Sequence, residues 1–160
     1  MRTPSFSRRH FLHSLPSFGF GLVAPAALAA AEPIALVMSS NSRHRGLTSD
    51  KLRRIFLALP TDDDEGNRFV PINLSQSSSV RERFDRNVLG MDPSEAARYW
   101  VDQRLRGNKP PRSASSLDVC RRAVQELRGA ISYLPLSQVG NLHVLSIDGH
   151  LPNDNSYGLR

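Results

Sequence analysis

The stretch Ile34-Ala35-Leu36-Val37-Met38 is a continuous apolar run that follows Pro33 and ends in a polar loop. A short apolar run bounded in this way predicts a strand buried on both faces. Thr48 or Ser49 then offers a cap for a helix. The apolar positions of that helix recur at helical spacing up to Pro60, and they are Leu52, Ile55, Phe56 and Leu59. A buried strand followed by an amphipathic helix indicates an α/β fold.

The rest of the chain continues this alternation. Strands are predicted over 69–74, 129–135 and 142–147. Three further helices are predicted: one after the polar turn 75–79, one capped by Asp92, and one capped by Ser115 or Ser116. The order β-α-β-α-α-α-β-β predicts a single α/β domain, a sandwich around a small mixed sheet flanked by helices. The polar tail 151–160 is expected to be loosely ordered.

Residues 1–31 have the features of an export signal. Ser7-Arg8-Arg9-His10-Phe11-Leu12 matches the twin-arginine consensus, and a weakly hydrophobic run leads to Ala29-Ala30-Ala31. The alternative is a membrane anchor, but the run is short and is interrupted by Gly and Pro. We therefore predict a twin-arginine signal peptide over 1–31, cut near Ala31, and a mature domain over 32–160. The twin-arginine translocase and signal peptidase would be its partners during export to the periplasm.

Charge and side-chain chemistry exclude several classes of function. The net charge of +6 falls to +3 without residues 1–31, because that segment holds three arginines and no acid. Nucleic-acid binding therefore loses most of its support. Cys120 is the single cysteine and lies on an apolar helix face, which predicts a core residue. We find no catalytic constellation, no metal-ligand spacing and no cofactor motif, so we predict a protein that is not an enzyme.

Several segments carry a family resemblance. Leu47–Leu57, Val70–Asn73, Arg83–Gly90 and Arg128–Pro135 resemble, in their order and spacing, segments of the periplasmic phosphate-binding proteins, the substrate-binding components of phosphate ABC transporters. The resemblance covers roughly Pro33 to Tyr157. It implies one lobe of a type II periplasmic-binding-protein fold, with phosphate or a similar oxyanion as ligand and a membrane transporter or envelope protein as partner.

The resemblance also indicates where an anion would bind. Ser77, Ser78 and Ser79 fall at the position of the family's Ser-Gly-Thr anion loop, and Arg81 could add charge-assisted bonds. Asn41 and Ser42, after the first strand, are expected to face the same cleft because ligands of open α/β sheets bind at strand ends.

Two interpretations of the serines remain open at this stage. Serine caps many helices that bind nothing, so Ser77–Ser79 could serve as a helix cap alone or could contact an anion. The domain as a whole has two corresponding hypotheses. It either binds phosphate or another oxyanion weakly, or it is a periplasmic interaction or scaffold module that uses one such lobe without a small ligand.

Overall fold

The computed structural model describes residues 32–159, and the predicted signal peptide over 1–31 lies outside them. The strands are β1 (Ile34–Met38), β2 (Gly46–Leu47), β3 (Val70–Asn73), β4 (Arg112–Ser113), β5 (Ala130–Pro135) and β6 (His143–Ile147). The helices are α1 (Ser49–Phe56), α2 (Ser79–Phe84), α3 (Pro93–Leu105) and α4 (Leu117–Glu126). A π-helical segment (Asp85–Leu89) continues α2, and a short 3-10 turn (Leu136–Gln138) follows β5.

The strands form one mixed sheet in the order β2-β6-β1-β5-β3-β4. β1 is antiparallel to β5 and β6, whereas β3 is parallel to β5 and β4. All five residues of β1 are buried, as the uninterrupted apolar run predicts. The predicted α/β domain with a small mixed sheet and flanking helices is therefore confirmed.

An aromatic cluster fixes the helices on one face of the sheet. The rings of Phe84 and Tyr133 stack with their centroids 3.7 Å apart, and Phe56 meets Phe84 edge-on at 4.7 Å. Phe56 belongs to α1, Phe84 to α2 and Tyr133 to β5. An edge-on pair such as Phe56 with Phe84 adds about 0.5–1.5 kcal/mol to the energy of burial. The start of α2 is therefore held in a defined position relative to the sheet.

Most helix starts agree with the sequence. Thr48 and Ser116 accept hydrogen bonds from the backbone of their own helices, and Asp92 and Glu95 form a complete capping box. The end of α1 differs, because the helix stops at Phe56 and Ala58 adopts a left-handed φ of 55°. Leu59 therefore leaves the helical face and remains 39% exposed.

The tail departs from its predicted loose order. Tyr157 and Leu159 are buried. The Tyr157 hydroxyl accepts a hydrogen bond from the Leu36 backbone N–H, and the Leu159 carbonyl accepts one from the Ile34 N–H. The prediction for 151–159 was wrong because two apolar side chains, spaced by two residues, bury themselves against the central strand. None of the helices within 32–159 is long and apolar enough to span a membrane.

Candidate functional site

A turn of serines follows β3 at its carboxyl end and leads into α2. Ser78 donates its backbone N–H to the Ser75 carbonyl at 3.0 Å, and the hydroxyls of Ser75 and Ser77 lie 3.0 Å apart. Ser77 and Ser79 are exposed, and Ser78 is half-buried. We call residues 75–79 the serine turn. The structure brings the three predicted serines together on one surface at the end of a sheet strand.

The serine turn leaves hydrogen-bond donors unused. Ser78 is the N-cap residue of α2, yet its side chain makes no capping hydrogen bond. The first bond of the helix runs from Glu82 N–H to the Ser78 carbonyl. The N–H groups of residues 79, 80 and 81 precede that bond, and they have no protein acceptor among residues 32–159. Free N–H groups beside a free hydroxyl can bind the oxygens of an anion.

Arg81 has a different role from the predicted one. Its side chain is buried, and its Nε donates to Asp85 Oδ2 at 3.3 Å. Its Nη1 donates to the Leu74 carbonyl at 3.0 Å and to the Ser113 hydroxyl at 3.4 Å. These bonds tie α2 to the end of β3 and to β4. The guanidinium therefore braces the serine turn from beneath, and its positive charge is balanced by Asp85.

Asp85 is the residue at this site that the sequence analysis missed. It is buried, and its Oδ1 has no hydrogen-bond partner within the described residues. Burial raises the pKa of this carboxyl, although the charge of Arg81 opposes the rise. The i,i+4 spacing of Arg81 and Asp85 was the available signal. Exposed pairs have the same spacing, such as Glu82 of α2 with Arg86 of the π-helical segment, so the spacing alone does not identify a buried pair.

Asn41 and Ser42 lie far from the serine turn. Met38, at the end of β1, is paired with Ile131 of β5, and Pro71, at the start of β3, is paired with the same residue. β1 and β3 therefore run in opposite directions, and their carboxyl ends lie at opposite ends of the strands of the sheet. The length of β1, five residues, corresponds to about 16 Å. The expectation that Asn41 and Ser42 face the same cleft as the serines was wrong, because β1 and β3 run in opposite directions.

The loop of Asn41 and Ser42 instead borders a separate polar groove of about 840 Å³. His44 and Asp63 line it, and their Nε2 and Oδ2 atoms lie 3.3 Å apart. The His44 backbone N–H donates to the Ser42 hydroxyl at 3.3 Å, so that hydroxyl organises its own loop. Within 32–159, no group of three or more His, Cys, Asp or Glu is arranged to hold a metal ion.

Cys120 has the core position that its helix face predicts. It is buried, and its Sγ lies 3.0 Å from the Ser132 hydroxyl. Burial raises the pKa of the thiol, which keeps it protonated and unreactive.

The chain matches no protein-family model and no curated protein sequence. Its fold is similar to solved structures of phosphate transport proteins. An ABC-type phosphate transport receptor from Vibrio cholerae is 12% identical, with a TM-score of 0.61 over 76% of this chain and 48% of the receptor. A putative phosphate ABC transporter substrate-binding protein with bound phosphate, from Clostridium perfringens, is 20% identical, with a TM-score of 0.61 over 76% of this chain and 47% of that protein. PstS from Borrelia burgdorferi is 16% identical, with a TM-score of 0.62 over 80% of this chain and 54% of PstS.

The chain therefore has the fold of phosphate ABC transporter substrate-binding proteins over about half of their length. The predicted resemblance in fold, a partial binding-protein lobe, is confirmed. These neighbours include a transport receptor and a substrate-binding protein, which fits the expectation of a protein that is not an enzyme.

Proposed function

We propose that this chain is an exported, solute-binding-like protein whose serine turn contacts phosphate or a similar oxyanion weakly. The observation that carries the proposal is the set of unused donors at the start of α2, the Ser78 hydroxyl and the N–H groups of residues 79–81. The similarity in fold to phosphate transport proteins supports it. In this proposal residues 1–31 direct the protein to the periplasm by the twin-arginine route, where a membrane transporter or another envelope protein is its partner.

The charge balance of the site sets the expected affinity. Arg81 is neutralised by Asp85, so the serine turn offers uncharged donors and the partial positive charge of one short helix. One exposed turn also covers only part of an anion, whereas small-molecule sites usually bury most of their ligand. We expect a dissociation constant of about 1 mM for phosphate, which corresponds to about −4 kcal/mol.

Calorimetric titration of the purified protein with inorganic phosphate tests the proposal. At 10 mM phosphate, a dissociation constant near 1 mM stabilises the folded state by about 1.4 kcal/mol. For a domain of this size that raises the melting temperature by about 4–6 °C. The absence of both heat and a thermal shift at 10 mM would overturn the proposal.

Two serine-to-aspartate variants provide a matched comparison. Ser78→Asp places a carboxylate among the proposed donors and should abolish the phosphate-induced shift by repulsion. Ser116→Asp makes the same change at the N-cap of α4, where the side chain already accepts the Val119 N–H at 3.2 Å. Aspartate is a good N-cap, so Ser116→Asp should fold normally and keep the phosphate response. Equal responses from the two variants would count against the serine turn.

The second candidate function is an interaction or scaffold module. The internal pairing of Arg81 with Asp85 favours it, because that pairing leaves the turn without a free cation. If Ser78→Asp abolishes capture of an envelope protein while phosphate never binds, this second function is correct.

A further inference from the structure

A groove lies beside β4, one of the two edge strands of the sheet, at the end of β3 opposite to the serine turn. It has a volume of about 470 Å³ and runs between the end of α1, the start of β3 and the segment before β4. Its apolar lining includes Ile55, Leu59, Phe69, Pro71, Pro110 and Pro111. We call it the edge groove. Leu59 is 39% exposed there, because α1 ends at Phe56 and Ala58 adopts a left-handed φ.

The charged residues that line the edge groove all have one sign. They are Arg68, Lys109 and Arg112, and no acidic side chain lines the groove. Lys109 and Arg112 are exposed and form no ion pair with any residue in 32–159. Arg68 Nε lies 3.9 Å from Asp62 Oδ1, in a pair open to solvent that contributes little. The groove therefore combines an apolar floor with a positive rim on which Lys109 and Arg112 have no acidic partner within 32–159.

The strand beside the groove has an unpaired edge. β4 is the last strand of the sheet and pairs only with β3. The Ala114 N–H points toward β3 and donates to the Asn73 carbonyl at 2.8 Å. Because the backbone groups of successive residues in a strand point to opposite sides, the N–H and C=O of Ser113 point away from β3. Ser113 is exposed, and its backbone groups have no partner within the described residues. An outward backbone edge is the surface to which an extended peptide adds as a further strand.

We propose that the edge groove and β4 together bind an extended acidic segment of another protein. The segment pairs its backbone with Ser113, places its carboxylates near Lys109 and Arg112, and lays its apolar side chains against Leu59 and the prolines. Alternation of side chains along a strand supplies both groups from one short peptide. An anionic lipid would satisfy the charges and the apolar floor, but it would leave the backbone edge unused, so a peptide is favoured.

Fluorescence anisotropy with a labelled hexapeptide of alternating valine and glutamate tests the proposal on the purified full chain. We expect saturable binding that weakens as salt is raised from 50 to 300 mM, because the charges are exposed. The matching valine–lysine peptide should not bind. Amide exchange in the complex should slow at the Ser113 N–H, a response that side-chain attraction alone would not produce.

Charge-reversal variants locate the site. The double variant Lys109→Glu with Arg112→Glu should weaken peptide binding at least 10-fold. The control variant, Arg98→Glu with Arg104→Glu on the exposed part of α3, should weaken it less than 3-fold. Ser78→Asp should leave peptide binding unchanged, so failure here and failure of the phosphate proposal can be told apart.

Four results of the binding assays would overturn the proposal. They are no peptide binding at 1 mM, equal binding of the lysine peptide, equal loss in the two double variants, and binding of phosphatidylglycerol vesicles in place of the peptide. A dimer of the protein alone that dissociates on Lys109→Glu with Arg112→Glu would also overturn it, because a second copy would then occupy the groove.

Discussion

The buried ion pair of Arg81 and Asp85 is predicted to stabilise the serine turn, and a double-mutant cycle tests this prediction. Arg81→Met removes the bonds to Asp85, Leu74 and Ser113 and leaves a buried carboxylate without a counter-charge. Breaking one side of a buried pair costs about 3–5 kcal/mol. Asp85→Leu leaves the guanidinium with its other two bonds, and we expect a loss of about 3 kcal/mol.

The double variant should lose far less free energy of unfolding than the two single variants lose together. Replacement of both partners by apolar side chains is often close to neutral, and here the remaining loss is the bond to the Leu74 carbonyl, about 1 kcal/mol. The two single variants together cost about 6–8 kcal/mol and the double variant about 1 kcal/mol, so the coupling energy should be about 5–7 kcal/mol. Urea unfolding of the four proteins measures each term of this cycle.

The same helix provides the control cycle. Arg86 and Glu82 have the same i,i+4 spacing, but their side chains are 57% and 44% exposed. Arg86→Met and Glu82→Leu should show a coupling of only about 0.3–0.5 kcal/mol. If the coupling of Arg81 with Asp85 is no larger than that of the control pair, the buried pair does not hold the turn and the reasoning is refuted.

The pH dependence of stability provides a second readout of Asp85. Its pKa is raised by burial, so the folded state binds a proton at this carboxyl more tightly than the unfolded chain does. Its contribution to stability therefore grows as the pH falls through the raised pKa toward the ordinary value near 3.8. Asp92, whose pKa is lowered by bonds to its helix, contributes with the opposite sign. The stability of the native protein relative to Asp85→Asn should increase from pH 7 to pH 4, and a decrease would contradict the burial argument.

Two further substitutions, the first with a matched control, test the packing of the chain against the sheet. Gly129→Ala should cost about 2–4 kcal/mol, because φ is 74° and a Cβ would lie 2.7 Å from the Arg68 carbonyl oxygen. The control is Gly107→Ala, which has a similar φ of 84° but open space around the added Cβ, so it should cost about 1 kcal/mol. If urea unfolding gives both variants the same loss of free energy of unfolding, the clash with the Arg68 carbonyl is refuted. Tyr157→Phe should cost about 0.5–1.5 kcal/mol by removing the hydrogen bond between its hydroxyl and the Leu36 N–H, and unchanged thermal stability would show that this bond does not anchor the tail.

The sequence predicted those elements whose residues carry their own signal, such as a helix cap or a regular spacing of apolar side chains. The cap at Asp92, with proline and glutamate after it, identifies the start of α3 without any knowledge of the rest of the fold. The buried run of β1 and the apolar face of α1 succeed for the same reason, since periodicity reports burial directly. The two-residue strands β2 and β4 left no such signal, because no pattern can be read over two residues.

The errors share one cause, which is that a distant part of the chain decides the outcome. Nothing near Asn41 in sequence reveals that β1 runs against β3, yet that direction separates it from the serine turn. The role of Arg81 depends on Ser113, which lies 32 residues away. The tail is ordered because Tyr157 reaches the central strand. The polar turn before α2 lies where the sequence predicts it, but the buried pair of Arg81 and Asp85 left no distinct signal.

Phosphate contact at the serine turn is tested most simply by a phosphate titration of the isotope-labelled protein, followed through its backbone amide signals. We expect progressive shifts, with a dissociation constant of about 1 mM, at the N–H groups of residues 79–81 and at Ser78. The signals of the polar groove around Asn41 should stay in place. No shift at the start of α2 up to 50 mM phosphate, or shifts centred elsewhere in the protein, would contradict the claim that the serine turn contacts an oxyanion.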